Sequence, residues 1–232
     1  MLLLISSLLL MSCGADKYMK KGEKFLALGE YYDAADQFKQ AYTRTPAKER
    51  DTRGKRALKM AQCYQRINAT PKAIAAYRNA IRYNQASKED QLAYARQLLK
   101  NGDYRQAEKV FLMLKDSMPG NQLVANGLKS AQMAPEWKKQ GSRYIVKRMD
   151  VFNSRRHDYS PVLFGDDYDQ LYFTSTRNEA LGDELSGITG TKAGDIFLSE
   201  KDDRGKWSKP EAIGTGLNTD YDEGACCFTP DG

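Results

Sequence analysis

Histidine is almost absent from this chain of 232 residues, occurring once, at His157. Catalytic zinc sites and His-based triads need several imidazoles or one paired with a nucleophile, so both chemistries are disfavoured. Cysteine occurs four times, at Cys13, Cys63, Cys226 and Cys227. No zinc-ligand spacing or disulfide framework links them. Cys63 falls inside a helical pattern and reads as a small core residue. Cys226 and Cys227 are adjacent in a strand-like stretch, which points their side chains to opposite faces. Long apolar runs are also missing. The run at 1–12, MLLLISSLLLMS, is shorter than the roughly 20 residues of a spanning helix, and no Lys or Arg precedes it. What remains is globular in composition, 41% hydrophobic and 28% charged, and long enough for one or two domains.

The net charge of +6 conceals two unlike halves. Residues 13–134 carry 23 Lys/Arg against 12 Asp/Glu, whereas residues 135–232 carry 13 against 18. The basic half raises the question of a nucleic-acid partner, but it has no aromatic–basic RNA-binding signature, so no nucleic acid is expected.

The apolar run fits the core of a secretory signal. It closes in Leu10-Met11-Ser12-Cys13-Gly14: an aliphatic residue three before a cysteine, a small residue one before it, then the thiol. This resembles the bacterial lipobox. The resemblance implies a signal peptide over 1–12, cleavage after Ser12, and lipidation at Cys13. The acyl chains would tether the protein to a membrane surface, at roughly 0.8 kcal/mol for each buried methylene.

Residues 16–134 repeat. Ala34, Ala73 and Ala107 are each followed four residues later by an aromatic (Phe38, Tyr77, Phe111), and three further on by Ala41, Ala80 and Leu114. Nine residues before the anchors stand Phe25, Tyr64 and Leu98, and twelve before stand Gly22, Ala61 and Ala95. Gly29 and Gly102 precede their anchors by five, and Pro46 and Pro119 follow by twelve. The anchors are 39 and 34 residues apart, so about five residues are inserted in the connection Ala47–Arg56. The pattern resembles the tetratricopeptide repeat (TPR), a 34-residue helix–turn–helix unit. Its small residues let paired helices approach, its aromatics fill the gap between pairs, its glycine turns the chain, and its proline stops the second helix. Residues 121–133 read as a capping helix, with Leu123, Ala125, Leu128 and Ala131 packing and Pro135 ending it.

Arrays of this kind carry no chemistry of their own; the resemblance implies a concave face, made by the first helix of each pair, that receives a partner segment. By position that face is Met19, Glu23, Leu58, Gln62, Arg66, Leu92, Arg96 and Lys100. The plainer reading of each is a solvated helix face.

From Tyr144 the period switches. Strands are expected over Pro161–Phe164, Gln170–Ser175, Asp195–Glu200 and Gly224–Phe228, joined by turns at Gly165–Asp167, Gly182–Lys192 and Lys201–Lys206. The strings Asp158-Tyr159-Ser160-Pro161, Leu171-Tyr172-Phe173-Thr174-Ser175, Asp195-Ile196-Phe197, Trp207-Ser208-Lys209-Pro210 and Leu217-Asn218-Thr219 resemble a blade of a WD40-like β-propeller of the PD40 or TolB type. Residues 222–232 resemble the opening of a second blade. Since propellers have about 4–8 blades, a truncated propeller is expected. Asp166, Asp167 and Asp169 lack EF-hand spacing and read as turn acids. No catalytic residue, metal site or cofactor is expected.

The expected architecture is α then β: a signal peptide (1–12), a TPR α-solenoid of three repeats plus capping helix (13–134), a linker (135–157), and the incomplete start of a propeller (158–232). This order resembles the OmpA-family lipoproteins of Bacteroidota, in particular PorE-like members associated with type IX secretion. The resemblance implies a non-enzymatic periplasmic scaffold anchored in the outer membrane. Envelope or secretion proteins would be its partners, and a C-terminal OmpA-like domain, not in this sequence, would bind peptidoglycan. Two other functions stay open: a TPR-type glycan-binding nutrient-uptake lipoprotein, and the accessory propeller of a hydrolase.

Overall fold

A computed structural model describes residues 2–229, with side chains from Gly14 to Thr229. Residues 1–143 with 187–189 form one compact unit and the remainder forms a second; each is described by itself. Met1, Pro230–Gly232 and the side chains of 2–13 lie outside the described residues, so the lipidation expected at Cys13 and the last residues of the second-blade opening fall outside them too. Among the described residues no helix is long and apolar enough to cross a membrane.

The first unit is helical: α1 Leu2–Leu28, α2 Tyr31–Arg44, α3 Arg50–Arg66, α4 Thr70–Arg82, α5 Lys88–Asn101, α6 Tyr104–Ser117 and α7 Gln122–Gln140. Each helix packs on the next in sequence, and α5 also meets α7. The result is a TPR-like α-solenoid of three helix pairs closed by α7. The repeat positions explain the packing. Ala34, Ala73 and Ala107 are wholly buried, as are Phe38 and Phe111, with Tyr77 at 1% exposure. Burying each of the two Phe side chains contributes roughly 1.5–3 kcal/mol. A Cβ on Gly22 would stand 2.7 Å from the Phe38 ring, so the small residue twelve before the anchor makes room for an aromatic.

The turn inside each pair needs a left-handed residue. Gly29 and Gly102 have φ of 80° and 82°. The second repeat uses Asn68 at the equivalent place, at φ 57°, because asparagine tolerates this region better than other side chains do. Termini are fixed locally. Ser87 and Asp90 form a reciprocal capping box on α5, and the Asn121 side chain accepts from the amides of Leu123 and Val124 at 3.0 and 3.3 Å.

Three helical expectations need correction. The insertion Ala47–Arg56 is not simply a longer loop: α3 starts at Arg50, so most of it is wound into an additional stretch of helix. The reason lies in its arginines. Arg53 donates to the Thr45 carbonyl at 2.6 Å, and Arg56 donates to the Ala41 carbonyl at 3.2 Å and to the Thr45 hydroxyl. Both satisfy acceptors at the C-terminal end of α2. Pro135 does not end α7, which runs on to Gln140 and stops where Gly141 turns to φ 71°; one missing N–H is tolerated there. The packed stripe of α7 is Val124, Gly127 and Ala131, with Leu128 half-buried, whereas Leu123 and Ala125 are exposed. The Asn121 cap sets this phase and brings Gly127 over the Phe111 ring.

The second unit contains a four-stranded antiparallel sheet in the order β1-β2-β3-β4: β1 Asp158–Phe164, β2 Gln170–Ser175, β3 Asp195–Glu200 and β4 Glu211–Ala212. Registers such as Phe173 opposite Phe197 and Tyr172 opposite Leu198 divide the faces. One face buries Leu171, Phe173 and Phe197 with Ala180, against Phe152 and Trp207. Pro161 is accommodated on the edge strand β1, where the register shifts between Tyr159 and Val162. The expected strand Gly224–Phe228 does not form. That segment lies across a sheet face instead of along an edge: Phe228 stacks on Phe164 at 4.3 Å, and the Gly224 carbonyl accepts from the Thr174 hydroxyl at 2.9 Å. The fourth strand is the short Glu211–Ala212, which turn-rich local sequence concealed.

Candidate partner-binding groove

The first helices of successive pairs, α1, α3 and α5, leave a groove of about 410 Å³. Its walls are Leu26 and Tyr31 on one side, Gln62, Gln65 and Arg66 in the middle, and Glu89, Asp90 and Ala93 on the other, with Tyr77 reaching through from α4. The floor is ordered by side-chain hydrogen bonds. Tyr77 donates to Gln65 Oε1 at 2.6 Å, and Gln62 donates to Asp90 Oδ1 at 3.1 Å. Asp90 Oδ2 accepts the Ser87 amide at 3.0 Å. The Asp90 carboxylate is therefore held by the α5 cap and by α3 together. Burial, reinforced by the nearby Asp90 charge, raises the Tyr77 phenol above its ordinary value, so it remains a donor. The Arg66 guanidinium stands exposed over the Tyr31 ring, 5.7 Å from its centroid.

Of the residues expected on the concave face, Gln62 and Arg66 line this groove. Glu23, Arg96 and Lys100 are exposed outside it, and Lys100 donates to Asn68 Oδ1 at 2.6 Å. Leu92 is buried, and Met19 and Leu58 are half-buried against the solenoid core, where they hold the wall and do not face a partner. The repeat positions missed Leu26, Tyr31, Gln65, Tyr77, Glu89, Asp90 and Ala93, and for those on α3 and α5 there is one cause. Equivalent positions need not lie at equal height: the groove brings the C-terminal half of α3 against the N-terminal half of α5. The one local signal was Ser87-x-x-Asp90, which announces a helix start with an acid in its first turn.

The sheet unit has its own cavity, about 610 Å³, lined by Tyr172, Ile196, Leu198, Leu217, Cys226 and Phe228 among others. Cys63, in the solenoid, is inert by contrast with a reactive thiol: desolvation pushes it up to about 11, with only partial relief from Lys59. Among the described residues no group of three or more His, Cys, Asp or Glu side chains is placed to hold a metal.

No family model matches this sequence, and no curated protein does. Solved structures resemble the helical part. One is the first TPR of Spaghetti (RPAP3) bound to an HSP90 peptide, SRMEEVD: 18% identical, covering 54% of this chain and 96% of that one, with a TM-score of 0.44. Another is the C-terminal TPR-containing domain of an FK506-binding protein from Plasmodium falciparum, at 14% identity, 56% and 94% coverage and a TM-score of 0.46. A third is the Sgt2 TPR domain from Aspergillus fumigatus, at 19% identity, 59% and 88% coverage and a TM-score of 0.42. At these scores the assignment of the helical unit rests on its own repeat positions and helix pairing.

Proposed function

We infer that this protein is a non-enzymatic scaffold whose solenoid receives an extended segment of a partner protein between α1, α3 and α5. The groove over Gln65 and Tyr77 carries this reading: it is open, ordered by internal hydrogen bonds, and combines an apolar side (Leu26, Ala93) with a cation (Arg66) and acids (Glu89, Asp90). Such a surface reads a peptide by shape and by charge position and has no nucleophile to transform it. The finer reading follows the order of the segments, a lipobox, then a solenoid, then a blade-like sheet. On that reading Cys13 is lipidated, the protein sits on the periplasmic side of the outer membrane, and its partners are envelope or secretion-machinery proteins of a PorE-like system. The antiparallel meander with an open apolar cavity on one face supports the first blade of a propeller, in which the next blade would cover Tyr172, Ile196 and Leu198. Peptidoglycan attachment would require an OmpA-like domain encoded beyond Gly232.

The test uses a photo-crosslinking amino acid at Ala93 in the full chain, expressed in its native envelope. Crosslinks to one or a few envelope proteins, lost in Arg66→Glu and Leu26→Asp variants that keep their helical content, are expected. Absence of crosslinks, or crosslinks indifferent to both variants, would overturn the groove as the partner site. Incorporation of labelled palmitate, abolished by Cys13→Ser, tests the anchor separately.

A further inference from the structure

The solenoid has two long edges, and its charge is not shared between them. Because consecutive helices are antiparallel, the middle of α1 and the N-terminal ends of α3 and α5 lie on the same edge as the C-terminal ends of α2 and α4. That edge is built from 16–21, 42–56 and 81–90, which hold eleven Lys/Arg and five Asp/Glu. The opposite edge, from 27–36, 65–72 and 99–106, holds four of each. The acid nearest the α1 end is paired with one of these cations, Asp16 accepting from the buried Arg56, which removes one charge of each sign and leaves the excess unchanged. Lys17, Lys20 and Lys21 stand exposed on α1. Along the same edge guanidinium groups lie on tyrosine rings, Arg44 on Tyr18 at 4.4 Å and Arg82 on Tyr83 at 4.8 Å. Cations at the C-terminal ends of α2 and α4 are in part a response to the helix dipole, but Lys17, Lys20 and Lys21 lie in the middle of α1, where the dipole gives no account of them.

The same edge is where α1 outruns its partner. α1 runs from Leu2 to Leu28 and α2 has 14 residues, so the part of α1 that continues past the end of α2 leads from the lysines back to Cys13. With 1–12 removed and Cys13 acylated, as the proposed function has it, Lys17, Lys20 and Lys21 follow the anchor by four to eight residues, and an acyl anchor beside a basic cluster is the arrangement that seats a protein on a charged lipid surface. We propose that this edge of the solenoid is a docking surface for anionic phospholipid headgroups, with Lys17, Lys20, Lys21, Arg44 and Arg82 on the phosphates and Tyr18 and Tyr83 at the interface. The solenoid would then lie edge-down on the membrane, its groove facing sideways and open to a partner.

The experiment compares the full chain on vesicles of phosphatidylcholine with one-third phosphatidylglycerol and on pure phosphatidylcholine. The ratio of the two affinities cancels whatever the anchor contributes. The expected ratio is at least ~10 in low salt, falling as salt is added. It should collapse in K17Q/K20Q/K21Q and in R44Q/R82Q, the latter leaving α1 untouched. It should persist in the opposite-edge variant K72Q/K100Q/R105Q, with far-UV circular dichroism confirming that all three remain helical. A ratio near one for the native chain, or equal losses in both edge variants, would overturn the proposal and leave the partner groove unaffected.

Discussion

Asp158 and Arg177 form a buried ion pair at 2.8 Å that joins the first strand of the sheet to the end of the second. Nineteen residues apart in sequence, they meet because β1 and β2 are antiparallel, with Asp158 opposite Ser175. Arg177 also donates to the Phe152 carbonyl at 2.7 Å and to the Ser175 hydroxyl at 2.9 Å, and lies over the Phe173 and Phe197 rings. Asp158 accepts in addition from Ser175 at 2.7 Å and from the Ser154 amide and hydroxyl. Both Asp158 oxygens and three of the five Arg177 N–H donors are engaged, the kind of satisfaction under which a buried charge is tolerated.

Arg177→Met is expected to destabilise the sheet unit by about 3–5 kcal/mol, because it strands a buried carboxylate. Urea unfolding followed by Trp207 fluorescence measures it. Replacing both members, as Asp158→Leu with Arg177→Met, is expected to recover most of the loss. A double variant no better than the single one would contradict the pairing argument.

Asp158 and Asp195 give opposite dependences on pH. At Asp158, desolvation is outweighed by hydrogen bonds from Ser175, Ser154 and Arg177, so its pKa lies below the ordinary value. Its contribution to stability is present above the unfolded value of about 3.9 and is lost as pH falls through the lower folded value. Asp195 is wholly buried, and desolvation, helped by the adjacent Glu223, raises its pKa despite the Leu181 amide and Lys192. Its contribution is complete below about 3.9 and is lost as pH rises through the raised folded value. Asp195→Asn keeps an acceptor for the Leu181 amide, now 2.8 Å from Asp195 Oδ2. It is expected to raise the melting temperature of the sheet unit at pH 7 and to leave it unchanged near pH 3. A lower melting temperature at pH 7 would show that the charged form is the stabilising one.

Gly127→Ala separates packing from helix propensity. Propensity alone favours alanine by about 1 kcal/mol, but the added Cβ would lie 2.2 Å from Phe111 Cζ. The net effect is expected to be a destabilisation of about 1–3 kcal/mol in chemical denaturation. Phe111→Leu in the same chain should relieve part of it, giving a coupling energy near 1 kcal/mol in a double-mutant cycle.

Thiol labelling at pH 8 should divide the cysteines. Cys63 is 1% exposed with its pKa pushed up to about 11, whereas Cys227 is exposed. Peptide mapping after maleimide treatment is expected to find Cys227 modified rapidly and Cys63 only as the solenoid opens. Equal rates would mean that the α3–α4 contact breathes readily.

Some of this was legible in residue order because it is local. The small anchors and following aromatics recur at fixed spacing and are buried where the spacing puts them. The strands Gln170–Ser175 and Asp195–Glu200 have the bounds their composition suggests. Asn68 was harder to see, since it stands where the other two repeats have glycine, yet it obeys the same backbone requirement. Gly224–Phe228 has strand-forming residues and no strand, because a strand needs a partner edge and this segment finds aromatic rings instead. Pro135 sits inside a helix that it was expected to end.

Residue order by itself determined the period, and with it the helix pairs, the aromatic core of the solenoid and the alternation of the sheet. Each of these depends on contacts one turn or one pleat away. It also determined the charge difference between the two halves. Only the tertiary structure decided which exposed residues share a groove, because that depends on which half of α3 meets which half of α5, a matter of how side chains interlock between helices far apart in sequence. The same is true of Asp158 with Arg177, whose attraction has effect only after two strands have paired, and of the basic edge, whose charges come together only when antiparallel helices bring alternate ends to one side.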